Sequence, residues 1–291
     1  MRLENTQKKS LSDRAGYKIS CMIAKIEGRI LKNGVEAYWW NFKVNSGDLV
    51  TPMLLKHYGF TPIHIDRDHA TVLSCGSILQ KVNSEFSGYI LGSGLLNGEN
   101  GCSFPKASIY ALRGTLTRDK LKVTTDVVLG DPGLLVSRVY KSHQKKKYLA
   151  GIVPHYNNKM SDAIRKLCSR YPQNLLFIDV QREPLSVLSD IDKCESILSS
   201  SLHGLVFADS LGIPCTWIIL EKNATQNFMF KYLDYNSAIQ RNQEMVYIDG
   251  SEDLKFLINQ ASTPKKFIVE KVKDDLDSAF NRFKLDVGFR E

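Results

Sequence analysis

The sequence predicts an α/β protein. Short apolar segments alternate with stretches of helical periodicity over most of the chain, the sequence form of strand–helix units built around a parallel sheet. A polar, basic stretch from Arg138 to Lys147 separates two such series. Size adds a third observation. At 291 residues the chain holds about two domains of ordinary length, because single cores stop growing near roughly 250 to 300 residues; one large domain is the alternative.

From Lys18 to Lys32, Ile19, Met22, Ile23, Ile26 and Ile30 share one helical face, with Lys18, Lys25, Arg29 and Lys32 around the rest. A basic amphipathic helix either covers its own core or lies on an anionic membrane, and core cover is the expectation. Strands are expected at Glu36 to Trp40, Ala70 to Ser74, Gly88 to Leu91 and Ser108 to Leu112. A helix from Asp48 to Tyr58 has an acidic start, Pro52 in its first turn and Gly59 beyond its end, each a helix-boundary signal. After the basic linker come strand Tyr148 to Val153, helix Lys159 to Tyr171, strand Asn174 to Val180 and a helix from Pro184. Strand Ser196 to Ser199, helix Leu202 to Leu211 and strand Cys215 to Leu220 follow, completing a doubly wound unit. Beyond Pro264, Ile268, Val272, Leu276 and Phe283 recur at helical spacing, which gives a long amphipathic helix.

Hydrophobic residues at 43% and charged residues at 24% describe a folded chain with a sizeable core rather than a disordered one. The longest apolar runs fall well short of the roughly 20 residues a membrane-spanning helix needs. The first twenty residues carry Lys8, Lys9, Arg14 and Lys18 without a sustained apolar stretch, so no secretory leader is expected and cytoplasmic residence follows. A formal charge of +8 favours anionic partners. The six cysteines contain no C-x-x-C pair and read as buried free thiols rather than zinc ligands or disulfides.

The most informative window is Ile197 to Pro214, I-L-S-S-S-L-H-G-L-V-F-A-D-S-L-G-I-P. A strand ends at Ser199, serines supply an N-cap, and a helix opens whose first-turn amides and positive dipole end point out of the sheet's carboxyl edge. His203 sits in that first turn, Gly204 permits close approach of an anion, and Gly212 with Pro214 stops the helix. The pattern describes an anion site beside a titratable imidazole, although a lone His beside a Gly is more often structural. In Asn45-Ser46-Gly47-Asp48 the acid is either a plain N-cap, which local physics favours, or a base at the sheet mouth. Glycine turns at Cys75-Gly76-Ser77 and Leu91-Gly92-Ser93-Gly94, followed by Gly98 and Gly101, bring backbone amides near a ligand or merely turn the chain. Neither is a dinucleotide or P-loop signature. Arg113 follows a strand where its fork could clamp a carboxylate or phosphate, whereas Arg118 reads as a surface or ion-pair residue. Asp131 caps a turn opening at Pro132. His155, directly after the strand ending at Val153, faces the same rim as His203. The His64-Ile65-Asp66 and Asp66–His69 segments lack a second ligand cluster, so no metal is expected. The sequon Asn223-Ala224-Thr225 carries no meaning in the cytoplasm. Lys145 to Lys147 reads as a solvated linker and not as a nucleic-acid stripe.

Taken in order, N-x-G-D, C-G-S-I, G-S-G, L-R-G-x-L-T-R, L-G-D-P-G-L-L, V-P-H and S-S-L-H-G-L-V-F-A-D-S-L-G-I-P resemble the polysaccharide pyruvyl transferase family from about Tyr38 to Pro214. The resemblance implies two Rossmann-like domains facing across a cleft, a glycosyltransferase B-like fold. Residues 1–143 would form the acceptor-side domain, 144–262 the donor-side domain and 263–291 a C-terminal amphipathic helix. It implies transfer of pyruvyl from phosphoenolpyruvate to two hydroxyls of a sugar, as a ketal, on a cell-surface polysaccharide or its lipid-linked precursor. No further cofactor is implied. In that chemistry His203 would donate a proton, Asp48 would remove the hydroxyl proton, and Arg113 with His155 would hold the anion. Ser201, Leu202, Gly204, Asn45, Gly47, Ser77, Ser93 and Gly94 would line the substrate site. The chain departs from the pattern at Ser201, where many members have an Arg directly before the Leu-His pair. A nucleotide-sugar glycosyltransferase on the same scaffold and an inactive carbohydrate-binding subunit are the alternatives. A lipid-linked acceptor would bring the basic N-terminal helix to the inner membrane face.

Overall fold

The computed structural model of the chain describes residues 11–99, 102–222 and 225–288. Lys8, Lys9, Gly101, Asn223 and Ala224 lie outside them. Helix α1 (Leu11–Ile30) leads into β1 (Gly34–Tyr38), α2 (Val50–His57), β2 (Thr61–His64), β3 (Val72–Leu73), β4 (Tyr89–Leu91), β5 (Ser108–Leu112), α3 (Thr115–Lys120), β6 (Val128–Leu129) and α4 (Val136–Val139). The second series is β7 (Tyr148–Val153), α5 (Asp162–Arg170), β8 (Leu175–Phe177), α6 (Pro184–Asp192), β9 (Cys194–Ser199), α7 (Leu202–Leu211), β10 (Cys215–Ile219), α8 (Gln226–Ala238), β11 (Val246–Tyr247), α9 (Leu254–Asn259) and α10 (Lys266–Asp286).

The α/β class is borne out as two sheets, ordered β2-β1-β3-β4-β5-β6 and β11-β10-β9-β7-β8. All their strand pairs are parallel. Each sheet therefore reverses its winding once, between β1 and β3 in the first and between β7 and β9 in the second. Open parallel sheets bind ligands beyond the carboxyl ends of the strands at such reversal points.

Sequence reasoning overlooks β2 because Pro62 interrupts it. Proline cannot donate to a ladder and is confined to edges, and β2 is the edge strand, with Pro62 opposite Val35. The helix expected from Asp48 begins instead at Val50, and the residue before it, Leu49, offers no side-chain cap. Asp48 is freed for another partner. Asp131 does cap its turn, accepting from the Gly133 amide, and Arg118 pairs with Asp119 at the surface.

Two helices differ from expectation in how they pack. On α1 the large apolar residues point away from the protein, while Tyr17, Cys21, Ala24 and Gly28 face inward. Gly28 is required there, since a Cβ on it would lie 2.7 Å from the Gly34 Cα. Helix α10 leaves the second sheet and returns to the first. The Phe280 ring stacks on Tyr58 at 4.7 Å, and Phe283 meets Phe60 and Tyr89 at 5.4 and 5.0 Å. Leu276, Phe280 and Phe283 are fully buried in a core that continues into Ile197, Leu205 and Trp217 of the second half. Each such side chain contributes roughly 1.5–3 kcal/mol by leaving water. Between the sheets, residues 141–147 form no helix or strand, yet the Asp192 carboxylate accepts from Ser142 and from the His143 and Gln144 amides.

Candidate active site

The loops that follow β1, β3, β7 and β9, the four strands flanking the two reversal points, open onto one cleft of about 240 Å³. Tyr38, Trp40, Asn45, Asp48 and Ser77 line it from the first half, and His155, Tyr156, Ser201, Leu202, His203 and Lys231 from the second. A hollow of about 620 Å³ beside α10 and β5 lies away from both reversal points, so size does not identify the site. Topology and convergent titratable groups do.

Helix α7 forms the floor. Its residues Ser201, Leu202 and His203 are in the lining, and its first-turn amides lack helical acceptors, as in any helix. The expected serine cap is absent: the Ser201 hydroxyl makes no capping bond. Ser199 and Ser200 instead fix the entry to the helix. Ser199 Oγ accepts from the Ser201 amide at 3.0 Å, and Ser200 Oγ accepts from the His155 amide at 3.0 Å.

His203 is only 8% exposed. Its Nε2 lies 3.2 Å from Cys75 Sγ, and that thiol donates to Asp131 Oδ1 at 3.4 Å, where the Gly133 amide also donates. Burial, with Asp131 adding to it, pushes the Cys75 thiol well up, so it stays protonated. A thiol has one hydrogen. Because that hydrogen goes to Asp131, the imidazole must donate from Nε2, which fixes its tautomer. Burial also lowers the His203 pKa against the pull of Asp131. The Nδ1 edge faces Gly47, where any Cβ would overlap the ring. Cys75, Asp131 and His203 are the one cluster among the described residues whose donor atoms, all within 4.8 Å, could hold a metal ion. Holding one would require Cys75 as thiolate, the ion taking the place of the proton that the thiol lends to Asp131.

Asp48 is 9% exposed and its Oδ2 accepts from Asn45 Nδ2 at 2.8 Å. Burial pushes its carboxyl up to about 7, against the lowering effects of Asn45 and of the Lys231 ammonium. Lys231, carried on α8, is shifted the other way: burial, with repulsion from Arg113, lowers it to about 8 while Asp48 pulls it up. His155 is lowered to about 4 by burial and then by Lys231. At neutral pH the cleft thus presents a carboxyl close to half-titration and a lysine that is mostly an ammonium, with two uncharged imidazoles in the same lining.

Some of the sequence-derived candidates lie elsewhere. Arg113 is fully buried, and its guanidinium is spent on Asp234, the Leu95 carbonyl and Ser77 Oγ. Its fork faces the interior because Asp234 balances it there. Gly94 makes room for that guanidinium, and Gly204 for Val153 and Ser199. Ser93 is buried and donates to the Ser74 carbonyl. Lys231 went unnoticed in the sequence: it lies beyond Leu220 in a helix with no motif, and only the return of α8 against α3 brings it to the cleft.

Residues 102–221 match the family model described as polysaccharide pyruvyl transferase. The resemblance read from the motifs is borne out. The match takes in Arg113, Asp131, His155 and the Ser201–Gly204 turn, while the Asn45–Asp48 loop, Ser77 and Lys231 fall outside it. An uncharacterized protein, L143, of Acanthamoeba polyphaga mimivirus is 33% identical over 181 residues, 59% of this chain and 62% of that protein. The succinoglycan biosynthesis protein ExoV of Rhizobium meliloti is 28% identical over 153 residues, 52% of this chain and 47% of that protein. The aligned stretches thus cover less than two thirds of either relative.

Proposed function

We propose that the cleft is the active site of a pyruvyltransferase that moves the enolpyruvyl unit of phosphoenolpyruvate onto two hydroxyls of a sugar, forming a ketal. The two sheets with their helices then act as Rossmann-like domains on a glycosyltransferase B-like plan, residues 1–143 on the acceptor side and 144–262 on the donor side, with 263–291 as the returning helix. The observation that carries this reading is the convergence of Asp48, its carboxyl held near neutrality, and the Lys231 ammonium on one cleft with the α7 N-terminus. The family match and the succinoglycan relative support a polysaccharide acceptor.

The donor carries a phosphate and a carboxylate. Helix α7's first-turn amides and Lys231 are suited to hold them, with Ser201 and His155 alongside. Asp48 in its acid form protonates C3, turning the methylene into a methyl and making C2 electrophilic. The resulting carboxylate takes the proton of the first sugar hydroxyl as its oxygen bonds to C2. Asp48 then passes that proton to the departing phosphate as the C2–O bond breaks, and the second hydroxyl closes the ring, its proton returning to Asp48. Of the two hydroxyl protons, one ends on C3 and one on phosphate. In this scheme His203, held neutral by burial and bonded to Cys75, shapes the floor. Arg113 holds α8, and through it Lys231, by its bond to Asp234. The reaction is placed in the cytoplasm, on a polysaccharide or its lipid-linked precursor.

Incubation with phosphoenolpyruvate and candidate glycans, followed by mass spectrometry for the pyruvyl increment, tests this directly. Phosphate release must depend on both substrates. Thermal stabilisation by nucleotide sugars and none by phosphoenolpyruvate would transfer the site to glycosyl-transfer chemistry.

A further inference from the structure

No helix among the described residues is long and apolar enough to cross a membrane, but α1 carries an apolar stripe on which none of the described residues packs. Ile19, Met22, Ile23, Ile26 and Ile30 are 49% to 73% exposed. At about 100° per residue they fill one narrow sector of the helix. Tyr17, Cys21, Ala24 and Gly28, the inward face, lie diametrically opposite. Lys18, Lys25 and Arg29 follow along one flank, Lys32 stands in the turn just beyond the helix end, and from residue 16 to residue 32 Glu27 is the lone acid.

The helix is tied to the cleft. The Tyr17 ring packs on His64 at 5.6 Å, and His64 packs on Trp39 at 4.6 Å and bonds its carbonyl. The next residue, Trp40, lines the cleft and touches Phe42, which is itself 66% exposed. Exposed Val44 and the basic Lys43 continue this rim.

We infer that α1 and the Phe42–Val44 loop form a docking surface for an anionic lipid bilayer, with the helix lying in the interface plane and the cleft mouth close to the headgroups. Apolar side chains opposite a packed face, flanked by a one-sided basic row, are what such a surface requires. Charge decides the occupant. A bilayer with acidic headgroups answers all four cations of the row, whereas a second copy of this chain would bring only Glu27 from the same stretch. The inference concerns a surface outside the cleft and holds whichever donor the cleft takes, so its failure leaves the proposed chemistry standing.

The test is co-sedimentation of the whole protein with phosphatidylcholine vesicles, with and without about 30% phosphatidylglycerol, at low and high salt. Binding is expected only to the anionic vesicles and is expected to weaken at high salt. Each basic residue near such a surface strengthens binding about fivefold, so neutralising Lys18, Lys25 and Arg29 together to Gln should lower it about a hundredfold. Ile23→Glu with Ile26→Glu should abolish it while the melting temperature and turnover on a soluble acceptor stay unchanged, because both side chains are solvent-facing. Equal or absent sedimentation with the two vesicle types overturns the inference. So does a stable dimer in solution that the isoleucine substitutions dissolve, which would assign the stripe to a second copy.

Discussion

Replacing Asp48 by Asn should stabilise the protein, and increasingly so as pH rises. Burial holds this carboxyl at about 7, against 3.8 in free solution, so between those values the folded protein keeps a proton that the unfolded chain has released. A carboxyl raised in this way weakens the fold as pH climbs from the unfolded value through the folded one, the reverse of an ion-paired Asp. At about 1.36 kcal/mol per pH unit, the cost is roughly 2 kcal/mol at pH 5 and roughly 4 kcal/mol at pH 8. The attraction of Lys231 is already contained in the folded value. Asn is neutral throughout and can accept from Asn45 Nδ2 as the carboxylate does. Urea melts at the two pH values should therefore show the variant's stability advantage widening by about 2 kcal/mol, with an unchanged denaturant slope. The same variant should lose about 10²- to 10⁴-fold in turnover, the usual contribution of a positioned proton carrier. A stability difference that stays flat between pH 5 and pH 8 would show that Asp48 is ionised and hydrated in the folded state, and the proposed proton transfers would then lack their carrier.

Lys231→Met should raise KM for phosphoenolpyruvate by about 10- to 100-fold, the worth of a charge-assisted hydrogen bond. It should also move the pH limb assigned to Asp48 upward, since the ammonium holds that carboxyl down; Lys231→Arg should recover part of the affinity. Cys75→Ala strands the His203 Nε2 hydrogen and leaves Asp131 Oδ1 with the Gly133 amide alone, a loss of about 1–3 kcal/mol in denaturant melts. Cys75→Ser should restore the chain and the imidazole tautomer seen in nitrogen chemical shifts. Gly47→Ala drives a methyl into the His203 ring and should cost about 1–3 kcal/mol of stability, lowering turnover with it.

The amino-acid sequence shows the α7 turn almost to the residue, because a strand end, a serine run and a left-handed Gly212 at the C-cap are local signals that tertiary packing has no reason to override. The same locality explains what it hides. Asp48 reads as a cap because caps are the commonest use of Asp before a helix, and only its distance from the α2 amides and its bond to Asn45 reveal otherwise. Arg113 reads as a ligand clamp because its strand position is visible and Asp234, its counter-charge, is 121 residues away. Helix α1 reads as core cover because hydrophobic periodicity marks an apolar stripe without saying what meets it, and the small residues Ala24 and Gly28 that do the packing carry little signal.

Lys231 and Cys75 belong to the same class of long-range facts, and together they alter the chemistry the motifs suggest. Motif reading puts the proton on His203, the most conspicuous titratable residue of the strongest window. The fold buries that ring against a thiol held neutral by Asp131 and takes up its Nε2 hydrogen. Opposite it, the loop after β1 leaves Asp48 half-titrated beside a lysine that enters from α8. In the proposed scheme the proton carrier and its cation come from the two halves of the chain separately, meeting at the cleft where both windings reverse. A site assembled in this way works only while the halves stay in register, and the buried Arg113–Asp234 ion pair, the Ser46 amide on the Val180 carbonyl and the Lys273 ammonium on the Ser210 carbonyl tie them together, with α10 packed onto Tyr58, Phe60 and Tyr89.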